Sequence, residues 1–211
     1  MNKCLLVLAF CFVACYSYGE NYIFPAKNIN EIDIIIKNGK LDVKSADVRE
    51  IRIDITPSKS SSTDRQIYVV GGKELNVYLI DSEITENTVA DMIVPKTIDM
   101  EINSTLANVT ADNLSGFLSI DATAGTVAVN NFNGKAEIDA VDAKVDVSGT
   151  FKSLDIESSR GVVNVTLNKV PSFYAYAIHG AGKMTFNLDR SIKRDKLVID
   201  SHEFKGILEI K

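Results

Sequence analysis

The sequence predicts an all-β protein, a single parallel β-solenoid (β-helix) of about 18 to 22 residues per coil, and three observations carry that expectation. Isoleucines recur at one constant step as Ile102, Ile120, Ile138 and Ile156, and the column continues at wider steps through Ala177 and Ile199. Other apolar columns keep the same step: Val109, Val127, Val145, Val163 and Met184 follow the openers, and Leu118, Ala136 and Leu154 precede them. Within each group apolar and polar residues alternate, as on a strand with one buried face. Turn residues separate the groups, ATAG, AVDA and SSRG at one corner and NLSG and NFNG at the other. A unit of two short strands and two bends cannot bury its apolar face alone. Stacked copies about 4.8 Å apart can, because equivalent residues then form one continuous column. An antiparallel meander or sandwich is the competing architecture, but it has no reason to repeat a full unit with the same corner chemistry.

Taken in order, the chain opens with an address. Residues 1–19 combine Lys3, an apolar run from Cys4 to Cys15 too short to span a bilayer, and small residues at Ser17 and Gly19, which reads as a secretory signal peptide cleaved after Gly19. An alternative is a lipoprotein signal of residues 1–14, with Cys15 as the lipidated N-terminus. All three cysteines fall in this segment, so no disulfide is expected in the exported chain and its stability must come from packing. The chain is then expected in the periplasm, on the cell surface or in the medium, in contact with a membrane only through a lipid anchor. A Cys-free exported chain of this size is more typical of bacteria, so the Asn-x-Ser/Thr matches at Asn103, Asn108, Asn113 and Asn164 read as coincidence.

Residues 20–211 are expected to form one domain, since 211 residues with 45% hydrophobic content suffice for one substantial core. Its first coils are irregular. Ile34, Leu41 and Val43 repeat the offsets of the later units, and Ile53 suggests the opening of a second coil. A polar loop follows at 56–65, then Ile67–Ile80 as a coil with a distorted corner, with Glu83–Val94 open between loop and short helix. A formal charge of −5 without any Lys/Arg cluster excludes a nucleic-acid binder, which needs a basic stripe against phosphates. The runs KNGKLDVKSAD, ATAGTVAVNNFNG and SSRGVVNVTL resemble the G-x-V/L-x-V repeat of a family of bacterial exported, adhesin-head-like β-solenoids of unassigned function. The resemblance is close over residues 98–188 and looser over 30–211. It implies an extracytoplasmic β-helical domain associated with adhesion or the cell envelope and supplies no catalytic signature.

The sharpest pattern flanks the isoleucine column. Glu101, Glu137 and Asp155 stand one residue before it and Asp121, Asp139 and Glu157 one residue after, so inward isoleucines turn these six acids outward on one face. Tyr174 and Tyr176 extend that face if Ala175 and Ala177 point inward. Like charges across strands repel, so the face suits a cation, a basic partner, an envelope glycan or another protein, or is simply a solvated sheet. Oxygen-only ligands favour Ca²⁺, most nearly at Asp121 and Asp139, yet the G-G-x-G-x-D calcium repeat is missing and no metal site or cofactor is assigned. The competing function is a carbohydrate-active β-helix enzyme, a polysaccharide lyase or hydrolase, because paired carboxylates can perform acid/base work. The acids recur with the repeat instead of converging, Lys135, Lys144, Lys152 and Arg160 are scattered on bends, and no catalytic residue is assigned. His179, in the glycine-flanked AIHGAG, reads as a surface-turn histidine, and His202 carries no pattern.

Overall fold

The computed structural model describes residues 20–56, 66–80, 88–168, 174–188, 197–205 and 207–210; the expected signal peptide with Cys15 and nearly all of the expected polar loop lie outside them. Strands β1 (Glu20–Pro25), β2 (Glu31–Ile36), β3 (Gly39–Ala46) and β4 (Glu50–Thr56) precede β5 (Gln66–Gly71), β6 (Glu74–Ile80) and β7 (Thr88–Pro95). After them come β8 (Asp99–Asp112), β9 (Ser115–Val141), β10 (Lys144–Leu167), β11 (Tyr174–Leu188), β12 (Leu197–Phe204) and β13 (Ile207–Ile210). A 3-10 turn at Ala26–Asn28 is the one helical element among the described residues.

The protein is all-β, and from β8 onward its ladders run parallel. Ile102 pairs with Ile120 and Ile138 with Ile156, each at the same step along the chain, and all four are at most 3% exposed. Val109, Val127, Val145 and Val163 are buried in step with them. The side chains between these positions point to water, so a period of two on the strand becomes one apolar interior. Burying each isoleucine contributes roughly 1.5–3 kcal/mol, and the column multiplies that gain unit by unit.

The corners are turned at left-handed residues, some inside the strands and two, Asn113 and Asp142, in the breaks between β8 and β9 and between β9 and β10. Leu106, Ala124, Asp142 and Arg160 have φ of 56°, 70°, 56° and 64°, and the same left-handed conformation recurs at Asn113 and Asn131. Left-handed backbone costs an L-residue about 1–2 kcal/mol, and stacking repeats the bend at the same place in each unit. Gly134 serves closeness rather than bending: a Cβ there would sit 2.0 Å from the Gly116 carbonyl oxygen.

The expectation of a single parallel stack needs correction at the N-terminal end, where the sheet is mixed. β2 pairs parallel with both β8 and β6, and β3 with both β8 and β7, so the segment 31–46 lies between two segments distant from it in sequence. Ile53 does not open a parallel coil; β4 runs antiparallel to β7 with Ile53 opposite Met92, and β1 adds antiparallel to β4. Ile67–Ile80 is an antiparallel hairpin of β5 and β6, and residues 88–95 are a strand rather than a loop or helix. Period-two alternation is identical for both strand directions, which is why the pattern misleads here. The two antiparallel additions touch where a Cβ on Gly71 would meet the Phe24 ring at 2.7 Å.

Replacing Ile138 with Asp places an unpaired charge in the buried column, and the expected loss is at least about 3 kcal/mol. Glu137→Gln, one position away on the outer surface, is expected within about 0.5 kcal/mol of the parent. Urea unfolding followed by circular dichroism measures both, and equal midpoints would contradict the buried column.

Candidate functional site

The alternation that buries the isoleucines turns their neighbours onto one outer sheet face. Glu137 stands opposite Asp155 and Asp139 opposite Glu157 across β9 and β10, while Asn103 faces Asp121 and Glu101 faces Ser119 across β8 and β9. Glu101, Asp121, Glu137, Asp139, Asp155 and Glu157 all line one shallow depression of about 630 Å³, so the structure brings together the six acids that the sequence singles out. Burial raises the Asp139 carboxyl above the usual carboxylate range, and the charges of Asp121 and Glu157 push the same way.

The acidic face is longer than the sequence indicates. Because β2 lies on β8, Glu31 stands opposite Asp99 and Asp33 opposite Glu101, and on its other side Glu31 faces Glu74. Carboxylate oxygens of Glu31, Asp33 and Glu101 lie within 4.8 Å of one another, the closest acid grouping among the described residues and the set with the ligand chemistry of a hard cation. Asp33 Oδ1 is buried and accepts no hydrogen bond among the described residues. Partial burial raises the Asp33 carboxyl, followed by the charges of Glu101 and Glu74; Glu31 is raised by burial and then by Asp33, Glu74, Glu101 and Asp99. Neither Glu31 nor Asp33 can be placed here from sequence, since β8, the strand they stack on, follows only after five intervening strands.

At the other end the expected register slips by one. Ile178, not Ala177, stands opposite Ile156, and Ala177 and His179 stand opposite Asp155 and Glu157. The acid positions therefore continue into Ala177 and His179, and Tyr176 falls out of phase with them; the side chains of Tyr174 and Tyr176 lie outside the described residues. His179 is in strand β11, not in a surface turn, with its Nε2 3.7 Å from Asp155 Oδ1. The cause is a β-bulge in β10 between Ser158 and Gly161, which lengthens the step from Ile156 to Ile178 by one position relative to the step from Val163 to Met184. The isoleucine at 178 is the available signal, and the shorter step at Met184 masks it.

Away from the acids, the same stacking pairs unlike groups. Arg160 donates from Nε and Nη2 to the two oxygens of Asp142 at 2.9 and 2.6 Å, holding the Asp142 carboxyl below the usual range. For Asp146, burial pulls upward but is outweighed by hydrogen bonds from Lys144 and Asn164, so that its carboxyl is also lowered.

No family model matches the chain and no curated protein matches it. Among solved structures it is similar to a putative cell adhesion protein from Clostridium sporogenes, at 15% identity over 93% of this chain and 99% of that one, with a TM-score of 0.42. A putative adhesin from Bacteroides fragilis matches at 15% identity over 92% and 96% of the two chains with a TM-score of 0.39. A putative lipid binding protein from Parabacteroides distasonis matches at 13% over 92% and 96% with 0.42. At TM-scores below 0.5 these likenesses carry no argument about site or activity.

The raised acids fix the sign of a pH effect. A carboxyl whose pKa is higher in the folded state contributes stability that is fully present below its unfolded value, about 4, and lost as pH rises through the folded value. Asp142 and Asp146, lowered by their partners, act oppositely, but their contribution is lost only as pH falls below about 4. Calorimetry is therefore expected to show the unfolding temperature rising as pH falls from about 7 to 4. Asp33→Asn with Asp139→Asn should flatten that slope and raise the midpoint at neutral pH. A wild-type midpoint that falls across this interval contradicts the raised carboxyls.

Proposed function

We propose that the chain is a non-catalytic, extracytoplasmic β-solenoid, an adhesin-like binding or structural protein of the cell envelope, whose acidic face meets a cationic partner. One observation carries the reading: carboxylates stand opposite carboxylates across successive parallel strands, at positions where a sheet ordinarily pairs opposite charges or neutral groups. Such an arrangement costs stability in the free protein, and a multivalent cation or a basic segment laid across the strands relieves it. The acids recur strand after strand instead of converging on one point, which suits an extended partner better than a single bond-breaking event. The regularly stepped parallel ladders from β8 to β10 support the solenoid description, with the antiparallel strands at the N-terminal end as a cap. The export signal at 1–19, with Gly19 or Cys15 setting the mature start, and the G-x-V/L-x-V resemblance support the extracytoplasmic and adhesin-like parts.

Isothermal titration of the wild type with Ca²⁺, with an oligolysine peptide and with an envelope glycan fraction tests the reading. Binding by Ca²⁺ or oligolysine is expected, weakened by added salt because exposed charges are screened within about 8–10 Å at physiological ionic strength. Asp121→Asn with Asp139→Asn is expected to weaken that binding at least several-fold while leaving the unfolding temperature unchanged or higher. If none of the three probes binds, the face is only a solvated surface.

A further inference from the structure

We propose that the chain forms a two-fold dimer through its N-terminal end, in which β1 of each copy adds to the free edge of β5 of the other. The contact lies away from the acidic depression and does not depend on what that face binds.

The N-terminal end of the stack is stepped. Two branches leave β8 on either side of its corner at Leu106. Strands β2, β6 and β5 stack in turn on residues 99–104, and β3, β7, β4 and β1 stack in turn on residues 107–112. One branch has three strands and the other four, so β1 stands one strand spacing, about 4.8 Å, beyond β5. Among the described residues β1 pairs only with β4 and β5 only with β6, which leaves a row of backbone donors and acceptors open on each strand. The half-buried rings of Tyr22 and Phe24, stacked with centroids 6.5 Å apart, pack inward from β1 against the end of the core.

A second copy fits this step, whereas a single added peptide strand closes one edge and leaves the other open. A two-fold axis through the Leu106 corner line and perpendicular to the stack exchanges the two branches. The protruding β1 of each copy then lies in the recess beside β5 of the other, so one isologous contact continues both ladders. Strand directions agree, because β1 and β5 both run away from that corner and meet in parallel. Alternation fixes the register. Val69, Tyr22 and Phe24 pack against the core, while Val70 and Ile23 are 49% and 54% exposed. Keeping inward residues inward sets Val69 beside Tyr22 of the second copy and Val70 beside Ile23, and it leaves Pro25, which has no N–H, off the shared ladder. Val70 and Ile23 then cover each other, and the two Tyr22–Phe24 pairs close one further layer of core.

Charge selects this end for a second copy. Strand β5, QIYVVG, carries no charged residue and no proline, and β1, ENYIFP, carries only Glu20. At the opposite end β12 carries Asp200 and Glu203 and β13 carries Glu209. Copies with a formal charge of −5 repel one another except where the contact is free of like charges, and the N-terminal end meets that condition. The lysines and prolines that ordinarily guard a free edge are missing from β5.

The test measures the mass of the exported chain, produced with its own residues 1–19, by light scattering over a concentration series. A dimer that dissociates on dilution is expected. Ile23→Lys with Val70→Lys sets Lys beside Lys in both halves of the contact and should weaken the dimer at least tenfold, with the circular dichroism spectrum unchanged because both positions are exposed. Ile23→Cys and Val70→Cys, made separately and mixed, should be joined by a short bismaleimide into a cross-linked dimer that neither variant alone nor the parent forms. A monomer at every concentration, a dimer untouched by the double lysine variant, or Val70→Cys chains that cross-link to themselves overturns the proposal. Each of these results leaves the binding tests of the acidic face unaffected.

Discussion

In a parallel ladder with a constant step, each residue is stacked on its own equivalent in the next unit, and the rest of this structure follows from that constraint. Where the equivalent is an isoleucine, stacking is favourable, because one apolar column excludes water along its whole length. Where it is a small polar group, successive units exchange hydrogen bonds at the same step: Thr126 with Asn108, Asn130 with Asp112, Asn131 with Asn113 and Asn164 with Asp146. Where it is a carboxylate, the same geometry sets like charge on like. The acidic face is thus the unfavourable counterpart of the repetition that builds the core, and it persists although an alternating placement of Lys would have removed it.

The corners show the same logic under a different cost. The positions of left-handed backbone are spaced by the repeat, and at Asp142 and Arg160 the two strained residues are also ion-paired with one another. Both side chains are largely exposed, so that pair contributes little by charge alone. Its geometry matters more: a bidentate guanidinium holds two successive corners in one alignment. Strain that would unfold an isolated turn is tolerated because the units above and below over-determine it.

The fold is legible in the sequence wherever stacking is local in the chain. From Ile102 to Val147 the columns of Ile, Val and Leu/Ala are spaced by the repeat, and the pairing follows them residue for residue. Two kinds of information are hidden. Strand direction leaves no mark on period-two alternation, so β1, β4 and the β5–β6 hairpin read as imperfect coils. A bulge leaves no mark either until its partner strand is known, and a one-residue slip exchanges the two faces of a strand. That slip is why the sequence sets two tyrosines in line with Asp155 and Glu157 while His179, which occupies that line, reads as a turn residue. Six of the acids can be found because they lie within the regular region. Glu31, Asp33, Glu74 and Asp99 escape because the segment that carries the first two is brought back against β8 across an insertion.

That insertion carries the acidic face on to the N-terminal strands. In the regular units Asp139 is raised by burial and by two acidic neighbours, whereas at the N-terminal end Glu31 has acids on its own strand and on both strands flanking it. Acidic neighbours therefore do not thin out toward the N-terminal end, because β2 has acids opposite it on both sides. The acids there include Asp33, whose buried Oδ1 no donor reaches among the described residues. Desolvation strengthens every charge interaction it encloses. The long detour of chain between β3 and β8 thus has an electrostatic consequence as well as a topological one: by placing β6 and β8 on either side of β2, it converts an end strand into an interior one and concentrates the unfavourable charge where the fold is least regular.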